Sequence, residues 1–497
     1  MIEKVPVIGA GLGGLSAALT MKSLGIETEI YEQNAHAGGK AGERIVSGFR
    51  FDTGPSLITM PFVIDRLFEQ TGAHRQDYLD YVPIDPLCRY FFPGEREAFD
   101  ATADPEQMTE NLGRLSVQDA QRWESFLRYG RGLYERTADL FLFQPIHELA
   151  TLLTLKSLLR LPSLLKIDAF RSMHQAISSY FTDHRIRQMM DRYATYVGAD
   201  PRKAPATLNM ISYVEYGLPA VYIKGGIARL TDALTQRCAE LDIPIEYHTP
   251  VRQIFYNSHH VTGLQTGEHF TGASAVVSNA DAVTTFRHLI KGKNQSLHRL
   301  ERLEPSLSGL IFYWGVEGKY PELAHHNIFF ARNYDQEFEH LFVTQTPAED
   351  LTVYVAVTSK KDEEHARKGH ENWFVLVNMP SLAPHQDWDT WIPAIRERVL
   401  QKLLDHGLDI RNRIVAEAVT DPRDMERLYG SNRGSIYGIS SNDRNTAFRR
   451  PANRNRDVKG LYFCGGSAHP GGGVPLVILS GQITGKLVKQ FRERGKI

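Results

Sequence analysis

The chain has 497 residues, 57 Lys and Arg against 58 Asp and Glu for a formal charge of -1, with 42% hydrophobic and 23% charged residues. That length calls for two or more structural units and excludes a small stapled scaffold, the charge balance offers no global field for nucleic acid, and the composition excludes disorder. The three cysteines, Cys88, Cys238 and Cys464, form no CxxC pair, so neither a disulfide framework nor a thiolate metal cluster is expected and a reducing cytoplasm fits.

The apolar run Val5 to Ile8 follows directly on Met1-Ile2-Glu3-Lys4, which leaves no room for a signal peptide, so the start of the chain is expected to be structural. Gly9-Ala10-Gly11-Leu12-Gly13-Gly14 comes next, then a helical stretch from Leu15 to Leu24 stopped at Gly25, then Glu27 to Glu32 as a second strand. This strand, turn, helix, strand order predicts a βαβ crossover in a parallel sheet with helices on both faces. Residues 106 to 200 read as helical, with stops at Gly130, Pro145, Pro162 and Gly198. Val221 to Lys224, Gly225-Gly226 and Ile227 to Glu240 repeat strand, glycine turn and helix, and strands are expected near Pro250 to Tyr256, Val261 to Thr266 and Ala275 to Val277. Aromatic and β-branched runs at 308–316, 327–331, 351–358 and 373–378, followed by an amphipathic helix from Trp388 to Asp405, describe a mixed α+β unit. Leu461 to Cys464 is a last strand, Gly465 to Gly473 a glycine-dense loop, and Pro475 to Arg494 a helix with proline near its first position. No stretch is long and dry enough to span a bilayer.

Gly9, Gly11 and Gly14 match GxGxxG between a strand and a helix: the first permits the turn, the second lets backbone approach a pyrophosphate, and the third lets the helix pack closely. Glu32, at the end of the second strand, is placed to accept hydrogen bonds from a ribose diol. An adenine dinucleotide is indicated. The histidine pairs His259-His260 and His325-His326 lack the HExxH or facial-triad context of a metal site and read as non-ligating, so no metal is expected.

Gly38-Gly39-Lys40-Ala41-Gly42 and Gly48-Phe49-Arg50-Phe51-Asp52-Thr53-Gly54-Pro55-Ser56 resemble the GG and GP motifs of FAD-containing amine oxidases and desaturases. With Tyr196-Val-Gly-Ala-Asp-Pro201, Lys224-Gly225-Gly226, Ser278-Asn279-Ala280-Asp281 and His469-Pro-Gly-Gly-Gly-Val-Pro475, essentially the whole chain is similar to bacterial-type phytoene desaturases and their carotenoid-desaturating relatives. His325 to Phe330 and Tyr437 to Asn442 resemble the branch of hydroxycarotenoid 3,4-desaturases and diapocarotenoid desaturases, whereas Gly472 and Leu476 depart from the HPGAGIPG of phytoene desaturases.

The resemblance implies a glutathione-reductase-like α/β FAD-binding Rossmann domain (1–75, 222–290 and 456–497) interrupted by an α+β substrate domain (76–221 and 291–455). It implies FAD contacts at Gly9, Gly11, Leu12, Gly14, Glu32, Gly39, Lys40, Gly54, Pro55, Ser56, Val251, Gly465, Gly473 and Val474. The implied reaction is desaturation of an acyclic carotenoid taken from the bilayer, most closely a hydroxycarotenoid 3,4-desaturation. Phytoene or diapophytoene desaturation is the alternative, followed by carotene isomerisation, amine oxidation or non-catalytic isoprenoid binding. Oxygen or a quinone is the expected electron acceptor. The leucine-dense segment 147–167, with Lys156, Arg160 and Lys166, is a candidate interfacial helix for peripheral contact with the inner face of the cell membrane. His469, in the loop expected beside the flavin, and Glu215, expected near the substrate tunnel, are candidate proton acceptors.

Overall fold

The computed structural model describes residues 4–148, 167–292 and 295–494. Val5–Ile8 sits at the centre of a five-stranded sheet, between Thr28–Tyr31 and Val276–Ser278, with Ile245–Glu246 and Leu461–Phe463 at the edges. All four pairings are parallel. Because both faces are covered, these strands read as nearly unbroken apolar runs, and residue alternation decides which cover each side chain meets. Val5, Val7, Ile30 and Tyr462 pack with helices Leu12–Ser23, Ala228–Glu240 and Val474–Arg494. Ile8, Tyr31, Val276 and Phe463 pack against Ile254, Val261 and Leu264.

Those last three belong to a three-stranded antiparallel sheet, Val251–Asn257, His260–Thr266 and His269–Gly272, so the expectation of helices on both faces is corrected: long helices cover one face, and this small sheet with Ala282, Val283 and Phe286 of a short helical stretch covers the other. The connection from Ile245–Glu246 to Val276–Ser278 is itself built of strands, so the crossover on that side presents a β layer. The two chain ends meet on the helical face. Ser16 Oγ donates to Ile478 O at 2.7 Å, and a Cβ on Gly481 would lie 2.4 Å from Gly13 O, so the first and last helices pack at backbone distance.

A seven-stranded sheet forms the second unit, in the order Ile414–Thr420, Ser308–Glu317, His370–Met379, Val353–Ala356, His326–Phe329, Cys88–Phe91 and Phe99–Ala101. Its pairings are antiparallel except between His326–Phe329 and Cys88–Phe91. One face buries Phe312, Trp314 and Trp373 against Ile395, Val399 and Leu403 of helix Trp388–Asp405. The other carries Tyr313 and Phe374, which pack with Phe49 and Phe51 of the hairpin Glu43–Val46 and Phe49–Asp52. The strands at 88–91, 99–101 and 414–420 were not anticipated; Arg89 and Asp100 form a cross-strand ion pair at 2.7 Å, and such charged positions hide an edge strand from a reading based on apolar alternation.

Gly130, expected to stop a helix, lies inside helix Trp123–Thr137. A Cβ there would come within 3.1 Å of Tyr213 Cβ, so this glycine lets helix Met210–Tyr216 approach rather than ending its own. Gly198, at φ 64°, does terminate the short helical segment Arg192–Val197. Of the candidate interfacial helix at 147–167, residues 149–166 lie outside the described residues. Among the described residues no helix is long and apolar enough to cross a membrane.

Candidate active site

The first glycine turn is built by close approach. Gly9 has φ +91° and donates its N–H to Tyr31 O at 2.8 Å, which closes the strand, and a Cβ on Gly14 would lie 2.1 Å from Gly9 O. The helix opens at Leu12 with no side-chain cap on its N-terminus, so its first N–H groups and the positive end of its dipole are free for an anion. Asn279 fills the space between this turn and the C-terminal one: its Nδ2 donates to Gly9 O at 3.4 Å, and its side chain lies against the positions of Gly11, Gly13 and Gly465.

Glu32 is buried, yet lines the cavity. Its Oε2 accepts from Ala10 N at 2.8 Å and its Oε1 from Asn34 N at 2.9 Å. Asn34 Nδ2 also donates to Oε1, at 3.0 Å, so it is Oε2 that keeps a lone pair for a hydroxyl donor, as a ribose hydroxyl needs. The Gly38–Gly42 turn is held by Gly38 N to Ala10 O at 2.9 Å, and Thr53 N to Gly42 O at 3.0 Å brings the Gly54-Pro55-Ser56 segment beside it.

All these segments open on one cavity of about 1000 Å³. Of the residues expected to hold FAD, Gly9, Gly11, Leu12, Glu32, Gly39, Lys40, Gly54, Pro55, Ser56, Val251, Gly465, Gly473 and Val474 line it, while Gly14 lies behind the turn. The wall also carries three charged groups, Lys40, which the sequence had placed at the cofactor, and Asp281 and Arg450, which were not among the expected FAD contacts. Lys40 Nζ donates to Ile436 O at 2.9 Å, and burial brings it down to about 8. Arg450 donates to Tyr437 O, Gly466 O and Ile439 O, and burial brings it down to about 10. Asp281 is their opposite charge, itself raised by burial. One buried and one half-buried cation against one carboxyl make a wall suited to an anionic ligand. Arg450 was missed because Arg449-Arg450 reads as surface charge, and only the packed structure buries its second member.

Away from the glycine turns the cavity wall becomes apolar, with Leu142, Ile211, Val214, Ile311, Leu376 and Ile436. Among the described residues no group of His, Cys, Asp and Glu is arranged to hold a metal, and the three cysteines are buried.

The two candidate proton acceptors part company. His469 lines the cavity, and its Nε2–H donates to Gln144 O at 2.8 Å. Burial depresses its pKa to about 3, so the ring stays neutral and proton-poor at neutral pH, and its backbone carbonyl accepts from Asn453 and Ser480. Glu215 does not line the cavity. It lies behind Arg192, with Arg192 Nη2 at 2.9 Å, Tyr193 OH at 2.8 Å and Tyr196 OH at 2.7 Å all donating to it, which leaves it placed to hold Arg192 rather than to reach a substrate.

A histidine held at about 3 in the fold and near 6.5 when unfolded makes the unfolded chain take up the extra proton, so its contribution to stability falls as pH drops from about 6.5 toward 3. His469→Gln keeps an N–H for Gln144 O and removes the titration. Relative to the parent, it should gain about 2 kcal/mol between pH 7.5 and pH 5, read from denaturant midpoints, since each pKa unit is worth ~1.4 kcal/mol. A constant gap across that range would show that His469 is not buried neutral.

The departure at Gly472 has a steric cause: a Cβ there would lie 2.5 Å from Tyr437 Cδ1. The Tyr437 segment occupies the place that alanine takes in HPGAGIPG, and Arg450 ties that segment to the glycine loop. Gly472→Ala should therefore displace Tyr437 and weaken FAD retention about tenfold or more, as a 1–3 kcal/mol overpacking cost, and Tyr437→Ala in the same chain should recover most of it. Flavin content after dialysis reads both, and an unaffected single variant would refute the coupling.

A glycine-cradled Rossmann site opening into an apolar chamber defines an FAD-dependent oxidoreductase. Residues 12–290 match the family described as flavin containing amine oxidoreductase, and the chain belongs to that family. It is 34% identical over 491 residues, 98% of this chain and 99% of the other, to a 1-hydroxycarotenoid 3,4-desaturase of Flavobacterium sp. (strain P99-3). It is also 34% identical over 485 residues, 97% and 96% of the two chains, to a 4,4'-diaponeurosporene oxygenase of Staphylococcus haemolyticus (strain JCSC1435). In fold it is similar to a solved oxidoreductase from Methanosarcina mazei, with a TM-score of 0.67 at 16% identity over 96% and 98% of the chains.

Proposed function

We propose that this enzyme is an FAD-dependent desaturase of an acyclic hydroxycarotenoid, introducing the 3,4 double bond. The observation that carries the reading is the single cavity in which a dinucleotide cradle runs into an apolar chamber, matched by full-length similarity to a 1-hydroxycarotenoid 3,4-desaturase.

Desaturation breaks two C–H bonds: a hydride leaves one carbon, a proton leaves its neighbour, and the remaining electron pair forms the double bond. FAD, when bound, supplies the two-electron hydride acceptor. The glycine turns and Glu32 hold the dinucleotide, and the apolar wall holds the chain extended and dry, so that the reacting bond is oriented. Charge developing next to a polyene is delocalised along it, which lowers the demand for a strong base and agrees with the neutral His469 and the occupied Glu215. The proton would leave to solvent, and oxygen or a quinone would be the final electron acceptor.

The substrate enters from the bilayer, with the protein bound peripherally at its inner face. In support, Phe170 is 89% exposed, next to Ala169 on the cavity wall, beside a shallow depression lined by Arg171, Arg202, Lys203 and Arg444 against the single acid Asp443, with Arg171 and Arg202 also paired to Asp168 and Asp200. An apolar side chain beside a basic rim suits an anionic membrane surface.

Expression in cells accumulating phytoene, in parallel with cells accumulating acyclic 1-hydroxycarotenoids, tests the reading through pigment masses and spectra. Loss of two hydrogens with a red shift only from the hydroxycarotenoid is expected. Stepwise loss from phytoene would replace it with an early desaturase, and unchanged masses in both strains would overturn it.

A further inference from the structure

Arg192 brings a buried charge to the cavity wall, and its hydrogen bonds do not use up all of its N–H groups. It is 5% exposed and lines the cavity. Nε donates to Tyr90 OH at 2.6 Å, Nη1 to Tyr196 OH at 3.0 Å, and Nη2 to Tyr193 OH at 3.2 Å and Glu215 Oε1 at 2.9 Å. A guanidinium carries five N–H groups, so one Nη1 hydrogen is left over.

Tyr334 lines the same cavity and is joined to Arg192 through one aromatic cluster, since Tyr90, which accepts from Arg192 Nε, lies 5.6 Å from the Phe330 ring and Phe330 lies 5.6 Å from the Tyr334 ring; the Tyr334 hydroxyl has no hydrogen-bond partner among the described residues. Tyr196, whose hydroxyl already donates to Glu215 and accepts from Arg192, completes a polar wall beside Ile211, Val214 and Ile328. Glu215 has a place in this arrangement: with Tyr193 and Tyr196 it fixes the guanidinium plane.

We propose that Arg192 and Tyr334 form the recognition site for an oxygen-bearing end group of the polyene, with the Arg192 N–H donating to the substrate oxygen and the Tyr334 hydroxyl completing its hydrogen bonding. This rests on the reading of the protein as a polyene desaturase and deepens it by naming what selects the substrate. A hydroxyl brought into an apolar chamber without a partner is strongly disfavoured, and so is a buried guanidinium N–H left without one. Each therefore favours the other, and a hydrocarbon terminus gives neither what it needs. Arg192 and Tyr334 are specificity-determining residues here, since neither is required to touch the reacting carbons.

Tyr334→Phe removes a hydroxyl the protein does not use, so the fold is spared, and Arg192→Lys keeps the charge opposite Glu215 while losing the planar fork. The experiment measures kcat/KM for an acyclic 1-hydroxycarotenoid and for its deoxy analogue of equal length, together with dissociation constants from the shift of polyene absorption on binding. The hydroxyl/deoxy preference should fall about 5- to 10-fold in Tyr334→Phe and about 10- to 100-fold in Arg192→Lys, in binding as well as in turnover, as expected for neutral and charged hydrogen bonds. A preference unchanged in Tyr334→Phe, in a protein that retains its flavin, would overturn the proposal. A parent enzyme that desaturates neither compound would instead refute the function on which it rests.

Discussion

Replacing Gly14 with alanine is expected to abolish FAD retention and to destabilise the protein by more than about 4 kcal/mol, the range reached when a core contact has no room to relax. The added methyl would sit 2.1 Å from Gly9 O, and both partners are backbone, so neither can swing aside. Helix Leu12–Ser23 would have to lift from Val5–Ile8, and the same helix is clamped on its other side by Val474–Arg494, whose Gly481 position approaches Gly13 O and Ala17 N. The strain therefore reaches both glycine turns of the site. Gly113→Ala is the contrasting change: it lies in helix Pro105–Leu115 with nothing within 4 Å of a new Cβ, and should gain about 0.5–1 kcal/mol from helix propensity. Flavin absorbance per mole of protein and urea midpoints measure both, and a Gly14→Ala protein with full flavin and an unshifted midpoint would show that the helix is not packed this way.

Arg192→Met is expected to cost about 3–5 kcal/mol, because it leaves a buried carboxylate without its countercharge. Glu215 is 1% exposed and Arg192 is its salt-bridge partner at 2.9 Å, while Tyr193 and Tyr196 supply only neutral donors. The same substitution strips Tyr90 and Tyr193 of their guanidinium contacts. Glu215→Gln placed on top of Arg192→Met removes the stranded charge and should restore at least half of the loss, which separates the charge from the packing. Thermal and urea unfolding, followed by flavin release, measure the cycle; a single variant within 1 kcal/mol of the parent, on the order of a surface change, would show that the pair carries no stabilising role.

Much of the cofactor site was legible because its requirements are local. Gly9 needs a positive φ, Gly14 needs the absence of a side chain, and Glu32 needs to end a strand, and all three lie within one βαβ stretch that a linear reading spans. The Trp388–Asp405 helix and the strands at 308–317 and 370–379 were legible for a similar reason, since periodicity within one element marks its buried face. Gly130 shows where that reading stops: the same residue breaks a helix or lets another helix approach, and the difference is Tyr213, far along the chain.

The amino-acid sequence by itself determined a dinucleotide-binding βαβ unit and a second, strand-rich unit, because glycine turns and apolar periodicity are obligations of the backbone over a few neighbouring residues; the oxidoreductase reading came from the resemblance of its motifs to a family. The tertiary structure alone decided how the charges around the cavity are partnered and which of the remaining ones reach it. Arg192 meets Tyr90 across 102 positions, Lys40 meets Ile436 across 396, and Glu215 is removed from the cavity by the arginine in front of it. Burial and hydrogen-bond partners fix what a titratable group can do, and neither is a property of the residue or of its sequence neighbours.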